Sequence, residues 1–195
     1  NFANGDVIGH TANREAKIEC ANLVDQHLGR VLAAAKAADY ITLVTADHGN
    51  LEELLSEDGT PHVAHTANLV HCVLVDPCAN EKITLQDGKL ADLAPTLLKL
   101  LKLNQPSSMD GKPLIDDHDY SDQRKVLLII LDGWGIGKPD DSNPIYLAET
   151  PVWDGLLKNA PTCRLEASGE AVGLKAGKAG NSEAGHMNLG AGRVV

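Results

Sequence analysis

The sequence predicts an α/β fold with a largely parallel sheet covered by helices. Three observations carry this expectation. Apolar and β-branched runs of strand length, Tyr40–Ala46, Val70–Asp76 and Val126–Leu131, alternate with stretches of helical period. The runs are close to continuously apolar, the pattern of strands covered on both faces rather than on one. Two of them end directly in acid, Ala46 into Asp47-His48 and Leu131 into Asp132. In open α/β sheets the loops beyond the carboxyl ends of strands are where functional groups gather.

The elements follow in order. Ile18, Ala21, Val24, Leu28, Val31, Leu32 and Ala35 share one face at helical spacing, which predicts an amphipathic helix from about Asn13 to Asp39. The Tyr40–Ala46 strand then runs into Asp47-His48-Gly49-Asn50, and Val70–Asp76 forms a second strand. Leu90, Leu93, Ala94, Leu97, Leu98 and Leu101 mark another helix, with Pro95 in its first turn, where a missing N–H costs nothing. Val126–Leu131, the most apolar run, stops at Asp132-Gly-Trp-Gly135. Residues 116–124 are polar and acidic without apolar period, and read as a solvated linker.

Composition narrows the function. The chain has 195 residues, 43% apolar, enough for one domain with its own core. A formal charge of −10 argues against holding nucleic acid or an anionic membrane by charge. The aromatic content, 3%, leaves little from which to build base-stacking surfaces. No apolar run reaches the ~18 residues of a membrane span, and the first residues lack the pattern of a signal peptide. The cysteines, Cys20, Cys72, Cys78 and Cys163, make no CxxC pair. They are expected to be reduced, buried and small, as in a cytoplasmic protein.

The eight histidines need another explanation. Asp6 and His10 stand four residues apart, Asp47 and His48 are adjacent at a strand end, and His62 and His65 follow on a loop. Carboxylate and imidazole without thiolate suit hard to borderline divalent ions such as manganese, zinc or magnesium. Each piece has a plainer reading: Asp6 as a helix cap, the histidines as loop residues. Four pieces in one chain, several at strand ends, are harder to dismiss. The last constellation is Gly180-Asn-Ser182-Glu-Ala-Gly-His186, with a serine where a loop opens into a helix. Backbone N–H groups there stabilise a phosphoryl group, and a metal lowers the serine pKa for attack; alone, the same serine would read as an N-cap. The spacing is one residue too long for a lipase-type nucleophile elbow. Gly133-Trp-Gly-Ile-Gly-Lys138 fits neither dinucleotide nor P-loop patterns.

Read together, the motifs resemble a known family. Val126–Gly135, Leu165–Leu174, Gly180–His186 and Asn188–Val194 resemble the amino-terminal part of cofactor-independent phosphoglycerate mutases. Asn1–Thr11, Thr45–Asn50, Pro61–Thr66 and Leu90–Leu98 resemble the carboxy-terminal part. The resemblance implies a three-layer fold of the alkaline-phosphatase superfamily and two divalent metal ions, usually manganese, with zinc or magnesium as alternatives. By motif, Asp6, His10 and His65 would ligate one ion, and Asp47, His48, Asp132 and Ser182 the other. Ser182 would be the nucleophile that becomes phosphoserine, while His62 and His186 lie beside the ligands.

Two departures qualify what the resemblance implies. The segments are reversed: 1–115 matches the carboxy-terminal part and 125–195 the amino-terminal part, joined by 116–124, as in a circular permutation. The family's central portion is absent. It normally supplies an arginine- and lysine-rich substrate domain and part of the metal domain's sheet, including the strand before Asp6. The expected fold is therefore incomplete, and a second chain is a candidate to complete it. The expected activity is two-metal interconversion of 3- and 2-phosphoglycerate in glycolysis, with a phosphorylated small molecule as partner. The alternatives are a stand-alone metal-dependent phosphomonoesterase and a non-catalytic metal-binding fragment or interaction module.

Overall fold

The computed structural model describes residues 1–56, 58–78, 83–116 and 125–195. The chain opens with a short helix, α1 (Asn4–Gly9), and a long one, α2 (Arg14–Ala37). The side chain of Asn13 caps α2 by accepting the Ala16 N–H at 3.0 Å. Its inner face buries Ala21, Val24, Leu28 and Ala35 of the stripe that the periodicity predicts, together with Cys20.

Five strands form the sheet: β1 (Tyr40–Thr45), β2 (Val70–Val75), β3 (Gly88–Lys89), β4 (Lys125–Ile130) and β5 (Thr162–Glu166), in the order β3-β5-β2-β1-β4. The three longest apolar runs become β1, β2 and β4. The sequence reading had no strand at β3 or β5. β5 alternates buried and exposed positions, and β3 has only two residues, so neither has the continuous apolar signature.

Helices cover the sheet as expected, but the sheet is mixed rather than largely parallel. β1 pairs parallel with β4, and β3 with β5, whereas β2 runs antiparallel to both β1 and β5. The physical reason lies in the connection from β1 to β2. A parallel return needs a crossover, usually a helix, and the described residues between these strands contain none. The chain loops back from the end it left, so β2 re-enters in the opposite sense.

A short 3-10 turn (Leu90–Asp92) leads into α3 (Leu93–Leu100), with Pro95 near its start. After β4 come α4 (Pro144–Leu147), α5 (Pro151–Asn159) and, beyond β5, α6 (Ser182–Ala191). α2 packs against β1, α1, α4 and α5, and α3 packs against α6. Among the described residues β4 is an edge strand. Phe2 continues the sheet beyond it by one parallel bridge, its N–H donating to Ile130 O at 2.8 Å and its carbonyl accepting the Asp132 N–H at 3.1 Å.

Cys20, Cys72 and Cys163 are buried and free as expected, but Cys78 is exposed. Residues 117–124 of the acidic linker lie outside the described residues; Asp116 accepts a hydrogen bond from Gln86. No helix among the described residues is long and apolar enough to cross a membrane.

Candidate metal centre

Asp6 and His10 are brought together by α1. They lie one helical turn apart and therefore on the same face. Asp6 is not a cap: Ala3 occupies that position, and the Asp6 carboxylate faces His10 and His65 instead. The ring orientation of both histidines follows from a backbone carbonyl. His10 Nδ1 lies 2.9 Å from Val63 O, and His65 Nδ1 lies 2.9 Å from Gly180 O. A carbonyl only accepts, so each Nδ1 carries a hydrogen, and in the neutral tautomer that this favours the lone pair is at Nε2. Those two Nε2 atoms are 3.1 Å apart. Asp6 Oδ1 is 3.0 Å from that of His65 and 3.3 Å from that of His10. Burial, joined by the nearby charge of His48, lowers the pKa of His65 and keeps its ring neutral.

The second group is set by the sheet. β1 and β4 are parallel neighbours, so Asp47-His48 and Asp132 emerge from the same end, with Leu131 N–H bonded to Thr45 O at 2.8 Å. Asp47 and His48 are fully buried, and Asp132 nearly so. Ser182 begins α6. Its hydroxyl is free for other work because Asn181, not Ser182, caps the helix by accepting the Ala184 N–H at 2.9 Å. His48 Nε2 lies 2.9 Å from Ser182 Oγ, and the Ser182 hydroxyl donates to Asp132 Oδ1 at 3.1 Å. Asp132 Oδ1 and Asp47 Oδ2 are 3.4 and 3.6 Å from the same His48 nitrogen.

The protonation pattern reflects this crowding. Burial lowers the pKa of His48, but its hydrogen bond to Asp132, the Asp47 and Asp6 charges and the Gly49 carbonyl outweigh that and bring it to about 9. Burial raises Asp132, yet hydrogen bonds from His48, Asn1 and Ser182 hold it at about 2. Asp47 is raised, chiefly by burial, with the Asp132 charge adding to it and His48 opposing it.

These residues fit divalent ions. Around His10 and His65, two imidazole nitrogens and a carboxylate oxygen converge within 3.0–3.3 Å of one another, and a divalent cation among them would be shared by all three. Each Nδ1 is bonded to a carbonyl, the usual second partner of a metal-ligating histidine. In the other group, Asp47 Oδ2 is buried without a hydrogen-bond donor. Two sets of ligand atoms lie within 4.8 Å of one another, Asp6-His48-His65 and Asp47-His48-Asp132. His48 belongs to both, its Nε2 being 3.8 Å from Asp6 Oδ1, so the two groups are contiguous.

The structure thus brings together all seven residues singled out from the sequence. His62 does not join them: its Nε2 lies 3.8 Å from Glu53, and its carbonyl accepts from Lys17. His186 does touch the centre, its Nδ1 lying 3.1 Å from Asp47 Oδ2 and 3.0 Å from Ser182 O. Several supporting residues escaped the sequence reading. Asn50 donates to Asp6 Oδ1 at 2.8 Å, and Asn1 donates to Asp132 Oδ2 at 3.1 Å. Lys17, almost fully buried, donates to the carbonyls of Glu53 and His62 at 2.9 and 2.7 Å. The spacing Lys17, Ala21, Val24, Leu28 places that lysine on the buried stripe of α2, a signal that was present in the periodicity.

About three fifths of the chain matches relatives that bear names. A 2,3-bisphosphoglycerate-independent phosphoglycerate mutase of Bacteroides thetaiotaomicron is 48% identical over 115 residues, 59% of this chain and 22% of that protein. The Roseobacter denitrificans enzyme of that name is 50% identical over 116 residues, 59% of this chain and 23% of the relative. A Synechococcus enzyme of the same name is 44% identical over 128 residues, 62% of this chain and 24% of its own length. The matched stretch therefore spans less than a quarter of these relatives. The profile of the metalloenzyme superfamily matches residues 1–105 and 124–193, nearly the whole chain. With that coverage and this geometry, the chain belongs to the metalloenzyme superfamily.

Proposed function

We propose that this chain is the metal-binding, phosphoryl-transferring part of a cofactor-independent phosphoglycerate mutase, with its two segments in circularly permuted order. Asp6, His10 and His65 would hold one divalent ion, and Asp47, His48, Asp132 and Ser182 a second, manganese being the favoured metal. The observation that carries this reading is the 2.9 Å approach of His48 Nε2 to Ser182 Oγ, between residues 134 positions apart, beside three carboxylates. Divalent ions at such a site supply positive charge for the phosphoryl oxygens and favour the serine alkoxide.

The chain's own residues do the rest. Ser182 Oγ gives up its proton and forms a bond to phosphorus while the bond from phosphorus to the substrate oxygen breaks, and one proton is returned to that oxygen, so the step releases none overall. The start of α6 directs N–H groups toward the transferred phosphoryl group. In the second half the phosphoserine bond breaks as a hydroxyl attacks. For a mutase the acceptor is the 2-hydroxyl of the retained glycerate; for a phosphatase it is water. Retention requires a closed site that excludes water. Among the five arginines of the chain none forms a clustered basic motif that would grip the glycerate. We therefore expect this chain alone to act as a phosphomonoesterase, with isomerisation restored by a partner that supplies the substrate domain.

The test is to assay the manganese-loaded chain with p-nitrophenyl phosphate and with 3-phosphoglycerate. Slow hydrolysis of both, abolished in Ser182→Ala, is expected. Rapid formation of 2-phosphoglycerate by the chain alone would overturn the hydrolytic reading, and activity indifferent to Ser182→Ala would overturn the nucleophile. Two-site metal binding without turnover of either substrate would favour the non-catalytic metal-binding module.

A further inference from the structure

We infer that Glu52 is a positioning residue that locks the loop of His65 to the strand-end turns carrying Asp47, His48 and Asp132. This inference rests on the two-ion centre proposed above. Glu52 is 1% exposed, and its carboxylate accepts four hydrogen bonds. Oε2 takes the backbone N–H groups of Asn50 and Gly135 at 2.8 and 3.0 Å. Oε1 takes the Thr66 hydroxyl in a short bond and the Asn68 side-chain amide at 2.9 Å.

The two oxygens thus serve different segments. Oε2 joins the turn after His48 to the turn after Asp132, while Oε1 reaches the loop that begins immediately after His65. Asn50 extends the network, since its side chain donates to Asp6 Oδ1. Two glycines give the carboxylate its place. A β-carbon at Gly135 or at Gly49 would lie 2.3 Å from Glu52 Oε1, so any side chain at either position would collide with it. Among the described residues, one backbone hydrogen bond, Thr66 N–H to Gly49 O at 2.9 Å, otherwise ties the beginning of the 66–68 segment to the Asp47–Asn50 turn.

Burying a carboxylate is costly unless hydrogen bonds satisfy it, and four donors do so here. Here each donor lies within three residues of a proposed ligand. Partners that orient ligands in this way typically change metal affinity by about 10–100-fold when lost. The arrangement also makes the effect selective. Removing the Thr66 hydroxyl leaves Oε1 with the Asn68 amide alone, weakening the His65 side of the bridge, and leaves Oε2 with both its donors.

The test compares wild type with Thr66→Val, a substitution of similar shape, by calorimetric titration with manganese and by amide hydrogen exchange in chelator. In Thr66→Val one binding event should weaken by roughly tenfold or more while the other stays unchanged. Glu52→Gln, which removes an acceptor oxygen from the bridge, should weaken both. Equal weakening of both events in Thr66→Val, or no change in either, would overturn the inference. If wild type binds fewer than two ions, the two-ion reading fails, and the exchange measurement then decides the role of Glu52. Faster exchange confined to residues 63–68 in metal-free Thr66→Val would uphold it, and exchange identical to wild type would sink it.

Discussion

The Nε2 atoms of His10 and His65 face each other at 3.1 Å with Asp6 Oδ1 beside both, and each ring's Nδ1 is spent on a backbone carbonyl. Two imidazole nitrogens and a carboxylate oxygen in that arrangement suit a divalent cation held among them. Adding manganese should therefore raise the thermal unfolding midpoint relative to chelator-treated protein, since an ion that binds only the folded state stabilises by roughly 2.7 kcal/mol at a hundredfold excess over Kd. His65→Ala should remove part of that gain. A midpoint indifferent to manganese would count against the site.

Metal loading should also release a proton. In the metal-free centre His48, with a pKa of about 9, is protonated at neutral pH, and a metal ligand must surrender that proton. Titrations near pH 7.5 in two buffers of different ionisation heat should give heats whose difference corresponds to at least one proton released per protein. Apparent affinity should rise with pH and level off as pH passes about 9.

The same shift predicts how metal-free stability varies with pH. The folded pKa of His48 is raised from 6.5, so its contribution is fully present below about 6.5 and disappears as pH rises through about 9. Asp132 behaves in the opposite sense. Its folded pKa, held at about 2, adds stability above its ordinary value of 3.8 that is lost as pH falls through about 2. Urea unfolding in chelator across this range should show both trends, and His48→Gln should erase the alkaline one.

Close packing of α6 on the β1 end gives a further prediction. A β-carbon at Gly185 would lie 2.5 Å from Asp47 O and 2.8 Å from Asp47 Cβ. Gly185→Ala should therefore push α6, with Ser182 at its start, away from Asp47. We expect a loss of about 1–3 kcal/mol in chelator, the usual cost of overpacking, and weaker metal binding at the Ser182 side. Denaturant unfolding and calorimetry on the same variant measure both effects.

Lys17 makes a prediction about the loop scaffold. Its ammonium is the donor to the Glu53 and His62 carbonyls, and burial lowers its pKa against the opposing charges of Glu52 and Glu53. Lys17→Met keeps the apolar stem but takes the donor away from two part-buried carbonyls. A destabilisation of about 1–3 kcal/mol is expected, read by urea unfolding. No loss would mean that water replaces the ammonium without cost.

Much of this protein was legible in its residues. The capped stripe of α2, the apolar runs of β1, β2 and β4, and the Asp and His residues at strand ends all follow from local pattern, because helix and strand periodicity and the chemistry of side chains are properties of short segments. β3 and β5 escaped because a two-residue strand and a half-exposed one lack that pattern. The sense of β2 escaped because it depends on whether the connecting chain crosses the sheet, which no strand records in its own residues. Position in space came only from the tertiary structure. Asn181 relieves Ser182 of capping, His48 reaches Ser182 across the fold, and Glu52, which carries no motif, bonds to three loops at once. Sequence identified the groups able to hold a divalent ion. Their convergence, and the buried carboxylate that ties their loops together, depend on long-range pairing and on glycines that let the backbone come close.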